Sequence, residues 1–174
     1  MEIDEEVRFE GRGLTTIKVN GFMEVYELGT QDLTLETGHH FKIATLPSIV
    51  LLKFIAYDDR PELRFKDARD IINIVYHYFD LQSELIYEHH SDLFDEQSRE
   101  VPIEIISATV IAREIRQIIA KNDDLILRLQ VIITAHLGQM ENSALIRNMV
   151  NESGKDVEQV AAILETILQK IRID

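Results

Sequence analysis

The chain contains no cysteine, which removes disulfides, thiolate metal sites and cysteine nucleophiles together. Basic residues are scarce: 18 Lys and Arg stand against 31 Asp and Glu, a net charge of −13. Binding to nucleic-acid backbones needs clustered cations, because affinity there comes from releasing the counterions held by phosphates. The composition therefore excludes a broad nucleic-acid-binding surface and leaves room only for a local basic site. Hydrophobic runs are short. None approaches the roughly 20 apolar residues that cross a bilayer, and the acidic start MEIDEEVRFE has neither the basic lead nor the apolar stretch of a secretory signal. The expectation is a cytoplasmic chain without a membrane segment. A glycine-rich phosphate loop is also missing: Gly11 to Gly13 has no Lys-Ser/Thr ending, and neither a strand before it nor a helix after it is expected. No G-x-S-x-G marks a serine nucleophile. Proline is rare, and Pro47, Pro61 and Pro102 each fall where a helical pattern starts or stops.

What is present suits one folded unit. The 174 residues are 45% apolar and 28% charged, long enough to bury a proper core. Residues 1–45 read mostly as strand. Thr15 to Val19 is a β-branched run, and Asp32 to Glu36 and Phe41 to Thr45 flank Thr37-Gly38 as a hairpin. Between them Gly21 to Leu28 has helical spacing and stops at Gly29. So few short elements cannot stand alone and must lean on other structure.

From Leu46 the spacing predicts helices over Leu46 to Tyr57, Phe65 to Tyr78, Leu81 to Phe94, Val101 to Ala120, Asp123 to Leu137, Asn142 to Val150 and Asp156 to Ile171. The segment NESGKD, 151–156, reads as a turn, and DEQSRE, 95–100, as a solvated loop. The fold class is α+β, mainly α: short N-terminal strands with a hairpin, followed over 46–174 by a bundle of about six to seven helices. No repeat or low-complexity linker divides it.

The informative stretch is LPSIVLLKFIAYDDRPELRFKDARDIINIVYHYF, Leu46 to Phe79. A nine-residue apolar segment, Ile49 to Tyr57, is interrupted by one charge, Lys53. An ammonium on an apolar helix face is costly unless it reaches water or an acid. The next helix offers two acids, Asp67 and Asp70, three residues apart and so on one face, at the margin of the face carrying Ile71, Ile74 and Tyr78. One reading is a structural lysine–aspartate staple between two helices. The other is a polar site in which Lys53, Arg60, Lys66, Asp67 and Asp70 grip a phosphate-bearing ligand, or in which the two carboxylates hold a divalent cation. The histidines add little. His39-His40 and His89-His90 are read as solvated surface pairs, since neighbours on a helix point about 100° apart and do not make an i, i+4 metal pair. His77 and His136 are isolated and read as structural; no metal site is assigned.

The same stretch resembles the closing motif of the nucleotidyltransferases of the AbiEii-like abortive-infection toxin family. That motif runs apolar-Leu-x-apolar-Lys-x-x-Ala, then Arg, then Arg/Lys-Asp-x-x-Asp before an apolar helix. The matching positions are Lys53, Ala56, Arg60, Lys66, Asp67 and Asp70, and the likeness covers residues 40–95, with a looser helical tail. The resemblance implies that Lys53, with Arg60 and Lys66, contacts nucleotide phosphates, and that Asp67 or Asp70 acts as an accessory acid or orients Lys53. It further implies a fold like the polymerase-β-type enzymes, whose Asp-x-Asp strand holds the two metal ions of the reaction. This sequence has no such strand and no preceding Gly-Ser turn. The expectation is therefore the C-terminal portion of a nucleotidyltransferase-like protein without activity by itself, residues 1–45 being what remains of the catalytic sheet. Mg and NTP are expected only if the catalytic half is supplied elsewhere. The different-class alternative is a non-catalytic helical interaction module whose lysine–aspartate cluster is structural. Either way unpaired strand edges point to a homodimer or a partner chain.

Overall fold

Helix α2, Leu46–Asp59, is apolar almost all round, and a helix of that kind belongs in the middle of a protein. The computed structural model, which describes residues 6–9, 15–18, 21–94 and 100–172, places it there. It buries Val50, Leu51, Phe54, Ile55 and Tyr57 and packs against α3 (Phe65–Leu81), α5 (Ile103–Ile118) and α6 (Asp123–Leu137). Its first turn is closed by the Thr45 side chain, which accepts from the Ser48 N–H, and carries Pro47. Its end is fixed by Pro61, which opens a short 3-10 turn, Pro61–Leu63, and reverses the chain into α3.

The remaining helices close round this pair. α7 (Ala144–Ser153) packs on α3, and α8 (Val157–Ile171) packs on α5, α6 and α7. The caps follow from sequence: Asn122 accepts from the Leu125 N–H, Ser143 from Ile146, and Asp156 forms a capping box with Gln159. Gly154 ends α7 at φ 68°, a left-handed position that a residue with a Cβ resists. One hydrophobic core runs from Val25 to Ile171.

The expected class is the observed one, with eight helices among the described residues and strands confined to the start. Several boundaries move. The expected helix from Leu81 to Phe94 does not form as one piece: α3 runs on to Leu81, Gln82 leaves helical geometry, α4 spans Ser83–His89, and a 3-10 turn spans Ser91–Phe94. The break turns Ile86 fully into the core. In the expected turn 151–156, Asn151, Glu152 and Ser153 belong to α7. At the N-terminus β1 (Glu6–Phe9) and β2 (Thr15–Lys18) pair antiparallel, so a strand does precede Gly11 to Gly13, although a strand, not a helix, follows it. That glycine segment itself, and residues 95–99 of the expected solvated loop, lie outside the described residues. β3 (Thr30–Thr34) and β4 (His40–Ala44) form the expected hairpin with Leu33 opposite Phe41.

The hairpin and α1 (Phe22–Leu28) lean on the helices as anticipated. α1 buries only Val25 and the hairpin buries nothing. The joint is at Gly29, whose carbonyl accepts from the Ser48 hydroxyl at 2.6 Å and from the Thr45 N–H at 2.9 Å.

His136 has the structural role its isolation suggested. Its ring meets Tyr57 edge-on, centroids 5.7 Å apart, and Nδ1 lies 3.0 Å from the Ser143 hydroxyl. The same hydroxyl accepts from the Ile146 N–H, which ties the ring to the first turn of α7. Burial holds the ring below its ordinary pKa of 6.5, against an opposing pull from Asp58. The folded state thus prefers the neutral ring, and the stability tied to it is complete above the ordinary value and declines as pH falls below it. We expect urea unfolding to show a loss of stability between about pH 7.5 and pH 5. His136→Gln, whose amide can still hydrogen-bond Ser143, should lack that component; an equal decline in both proteins would contradict the assignment.

Candidate functional site

The Lys53, Asp67 and Asp70 side chains converge as the spacing predicts. Helix α2 lays Lys53 against the first turns of α3, where Asp67 and Asp70 share a face. The ammonium donates to Asp67 Oδ1 at 2.9 Å and to Asp70 Oδ2 at 2.6 Å, across 14 and 17 positions of sequence respectively. Their environments differ. The side chains are 22% exposed for Lys53, 10% for Asp67 and 50% for Asp70, so the Asp67 contact is the more sheltered. Arg64, which the sequence reading passed over, approaches Asp67 Oδ2 at 3.6 Å; the signal was its i, i+3 spacing from Asp67. Asp67 Oδ2 itself is buried without a hydrogen bond.

Burial alone would lower the Lys53 pKa, but its hydrogen bonds to Asp70 and Asp67 and their charges outweigh it and hold the ammonium above its ordinary value. Such a raised base contributes stability that is full below the ordinary lysine range and lost only as pH climbs through the raised value. The Lys53 ammonium is therefore charged throughout neutral pH. Chemically this leaves the Lys53 ammonium with two acid partners and one further N–H, and an anion approaching that N–H would meet the two carboxylates beside it. A divalent cation between the carboxylates would have to displace the ammonium that sits there.

Arg60 and Lys66 are exposed, and their side chains form no hydrogen bond or ion pair among the described residues. Arg60 caps the end of α2, and Lys66 stands on the outer side of the α3 start. Among the described residues no three or more His, Asp or Glu side chains gather as a metal site. The described strands contain one aspartate, Asp32, and no Asp-x-Asp pair.

Other polar contacts act as struts between helices. Glu152 of α7 accepts from Arg69 and, at 2.9 Å, from Asn73, both on α3. Arg128 of α6 reaches Asp58 and Asp59 at the end of α2. Arg113 of α5 forks onto Asp92 at 2.9 and 2.6 Å. His90 departs from the expected solvated pair: His89 is exposed, but His90 is 5% exposed, with Nδ1 3.4 Å from Arg113 and Nε2 3.6 Å from Glu114. The C-terminal turn of α4 directs it against α5, which periodicity could not show. His39 and His40 are exposed at the hairpin end, as expected.

No helix among the described residues is long and apolar enough to cross a membrane. Comparison of the chain with protein-family models, with curated proteins and with solved structures finds no match.

Proposed function

We propose that the chain is the helical C-terminal portion of a cytoplasmic nucleotidyltransferase-like protein and carries no transfer chemistry by itself. The observation that supports this is the pairing of Lys53 with Asp67 and Asp70. Lys53, Asp67 and Asp70 of the AbiEii-like pattern meet in space while Arg60 and Lys66 stay apart from them, and the lysine is engaged by its own aspartates with no Asp-x-Asp strand among the described residues. In this reading Mg and NTP bind only to a complete site to which another part contributes the metal-holding carboxylates. Exposed Arg60 and Lys66 are then the residues free to meet phosphates once that part is present. The cluster's role in this chain is to fix α2 to α3.

A second reading, a non-catalytic interaction module with no nucleotide in its function, is favoured by one observation: α1 and the β3–β4 hairpin expose large apolar side chains. Titration of the chain with Mg and ATP, followed by NMR of the Lys53 and Asp67 side chains, tests the proposal. The expected result is no shift for the chain alone. A saturable shift at Lys53 would show that the isolated chain binds the nucleotide and would sink the account of Lys53 as a staple alone.

A further inference from the structure

We infer that Arg64 is the reserve partner of Asp67: when the Lys53 ammonium leaves the cluster, the Arg64 guanidinium closes onto the carboxylate, so that Lys53 is released without stranding a sheltered charge. The ground is the unequal use of the two Asp67 oxygens. Oδ1 accepts from Lys53 at 2.9 Å. Oδ2 is buried without a hydrogen bond and faces Arg64 Nη1 at 3.6 Å, beyond hydrogen-bond distance; an approach of under about 1 Å would make the bond. Arg64 is placed for that approach. It stands at the N-cap of α3, one turn from Asp67, with its side chain 47% exposed, and that side chain makes no hydrogen bond among the described residues. The move lies within the first turn of α3 and leaves α2 where it is.

Charge explains why this pair stays open while Lys53 is in place. The α3 N-terminus carries the positive end of the helix dipole, and Arg60 and Lys66 are close by in sequence. With Asp67 already neutralised by Lys53, a second cation there gains little. Once Lys53 has gone the balance reverses, because Asp67 is 7% exposed and a sheltered carboxylate without a cation is costly. Asp70 needs no such substitute: its side chain is half exposed, and water replaces the lost bond. Arg64 is thus a positioning residue that acts on Lys53 through Asp67. Use of the released ammonium on a nucleotide phosphate rests on the nucleotidyltransferase-like reading of the site; the exchange at Asp67 does not, and it is tested with no nucleotide present.

The test is a double-variant cycle in the full chain, read by urea unfolding, in which Lys53→Met stands for the departed ammonium. Arg64→Gln should change the unfolding equilibrium constant of the parent less than about threefold and raise that of Lys53→Met about tenfold. Arg64→Lys, which keeps the charge, should recover part of that loss. A fixed surface pair would instead give the same change in both backgrounds. The single variant Lys53→Met supplies a second readout that does not need the double variant to fold. By NMR its Arg64 guanidinium N–H signals should shift and exchange more slowly with water than in the parent, while those of Arg60 stay unchanged. Equal losses from Arg64→Gln in the two backgrounds, or Arg64 signals unaffected by Lys53→Met, would overturn the inference. A nucleotide that fails to bind moves neither quantity, so the inference and the nucleotide reading fail separately.

Discussion

Lys53→Met should lower the free energy of unfolding by about 2 to 3 kcal/mol, measured by urea denaturation near neutral pH. Methionine fills the same space on α2 and adds no polar group, so the loss comes from what it leaves behind. Asp67, 7% exposed, would retain a charge with only Arg64 at 3.6 Å to answer it. Removing one member of a sheltered pair costs several kcal/mol because the remaining charge is unpaired; the partial exposure of Lys53 places the expected loss at the lower end. Asp70→Asn should cost under about 1 kcal/mol, since Asp70 is half exposed and water replaces the contact. The ordering of the two variants matters as much as their size. An Asp70 loss equal to that of Lys53 would mean that Asp70, not Asp67, is the principal partner.

Gly29→Ala should be nearly as damaging, at about 2 to 3 kcal/mol. The backbone at Gly29, φ −109° and ψ 19°, is open to any residue, so conformational freedom is not the reason for glycine. Space is: a Cβ there would lie 2.1 Å from Ser48 Oγ and 3.1 Å from the Val25 Cα. Ser48 is completely buried, and its hydroxyl cannot swing aside without losing the hydrogen bond to the Gly29 carbonyl. Ser48→Ala alone should cost about 1 kcal/mol, because Thr45 still donates to that carbonyl. Combining it with Gly29→Ala should recover part of the loss but not all, since the Val25 backbone stays in the way. Hydrogen exchange at Thr45 and in β3 reads the same joint directly, and unchanged protection in Gly29→Ala would contradict this account.

The Gly29 joint also shows where sequence reading stops. Glycine after a helical run reads as a helix end, and it is one; that its hydrogen atom makes room for a serine 19 positions away is a tertiary fact with no local trace. The helical body was legible because apolar spacing persists over several turns of each helix, and the caps that form at Asn122, Ser143 and Asp156 ask for the same thing as the packing. The Lys53 cluster was legible for a different reason. An isolated lysine in an apolar helix requires an acid, and the next helix supplied two at one-turn spacing. Arg64 and Glu152 were missed: the first lies before the helix proper, the second in what read as a turn. His90 was read as solvated because its burial depends on α5, not on its neighbours in α4. The outward-facing apolar set of the hairpin, by contrast, was present as the alternation in residues 31–43, but which face turns outward is decided by Lys42 and Thr30 against Tyr26.

The most direct test of the lysine–aspartate staple is the unfolding free energy of Lys53→Met combined with Asp67→Leu. If the cluster fixes α2 to α3 and does nothing else, replacing both charges with apolar side chains removes the unpaired carboxylate, and the double variant should regain most of what Lys53→Met loses, ending within about 1 kcal/mol of the parent. A double variant as unstable as Lys53→Met alone would contradict it.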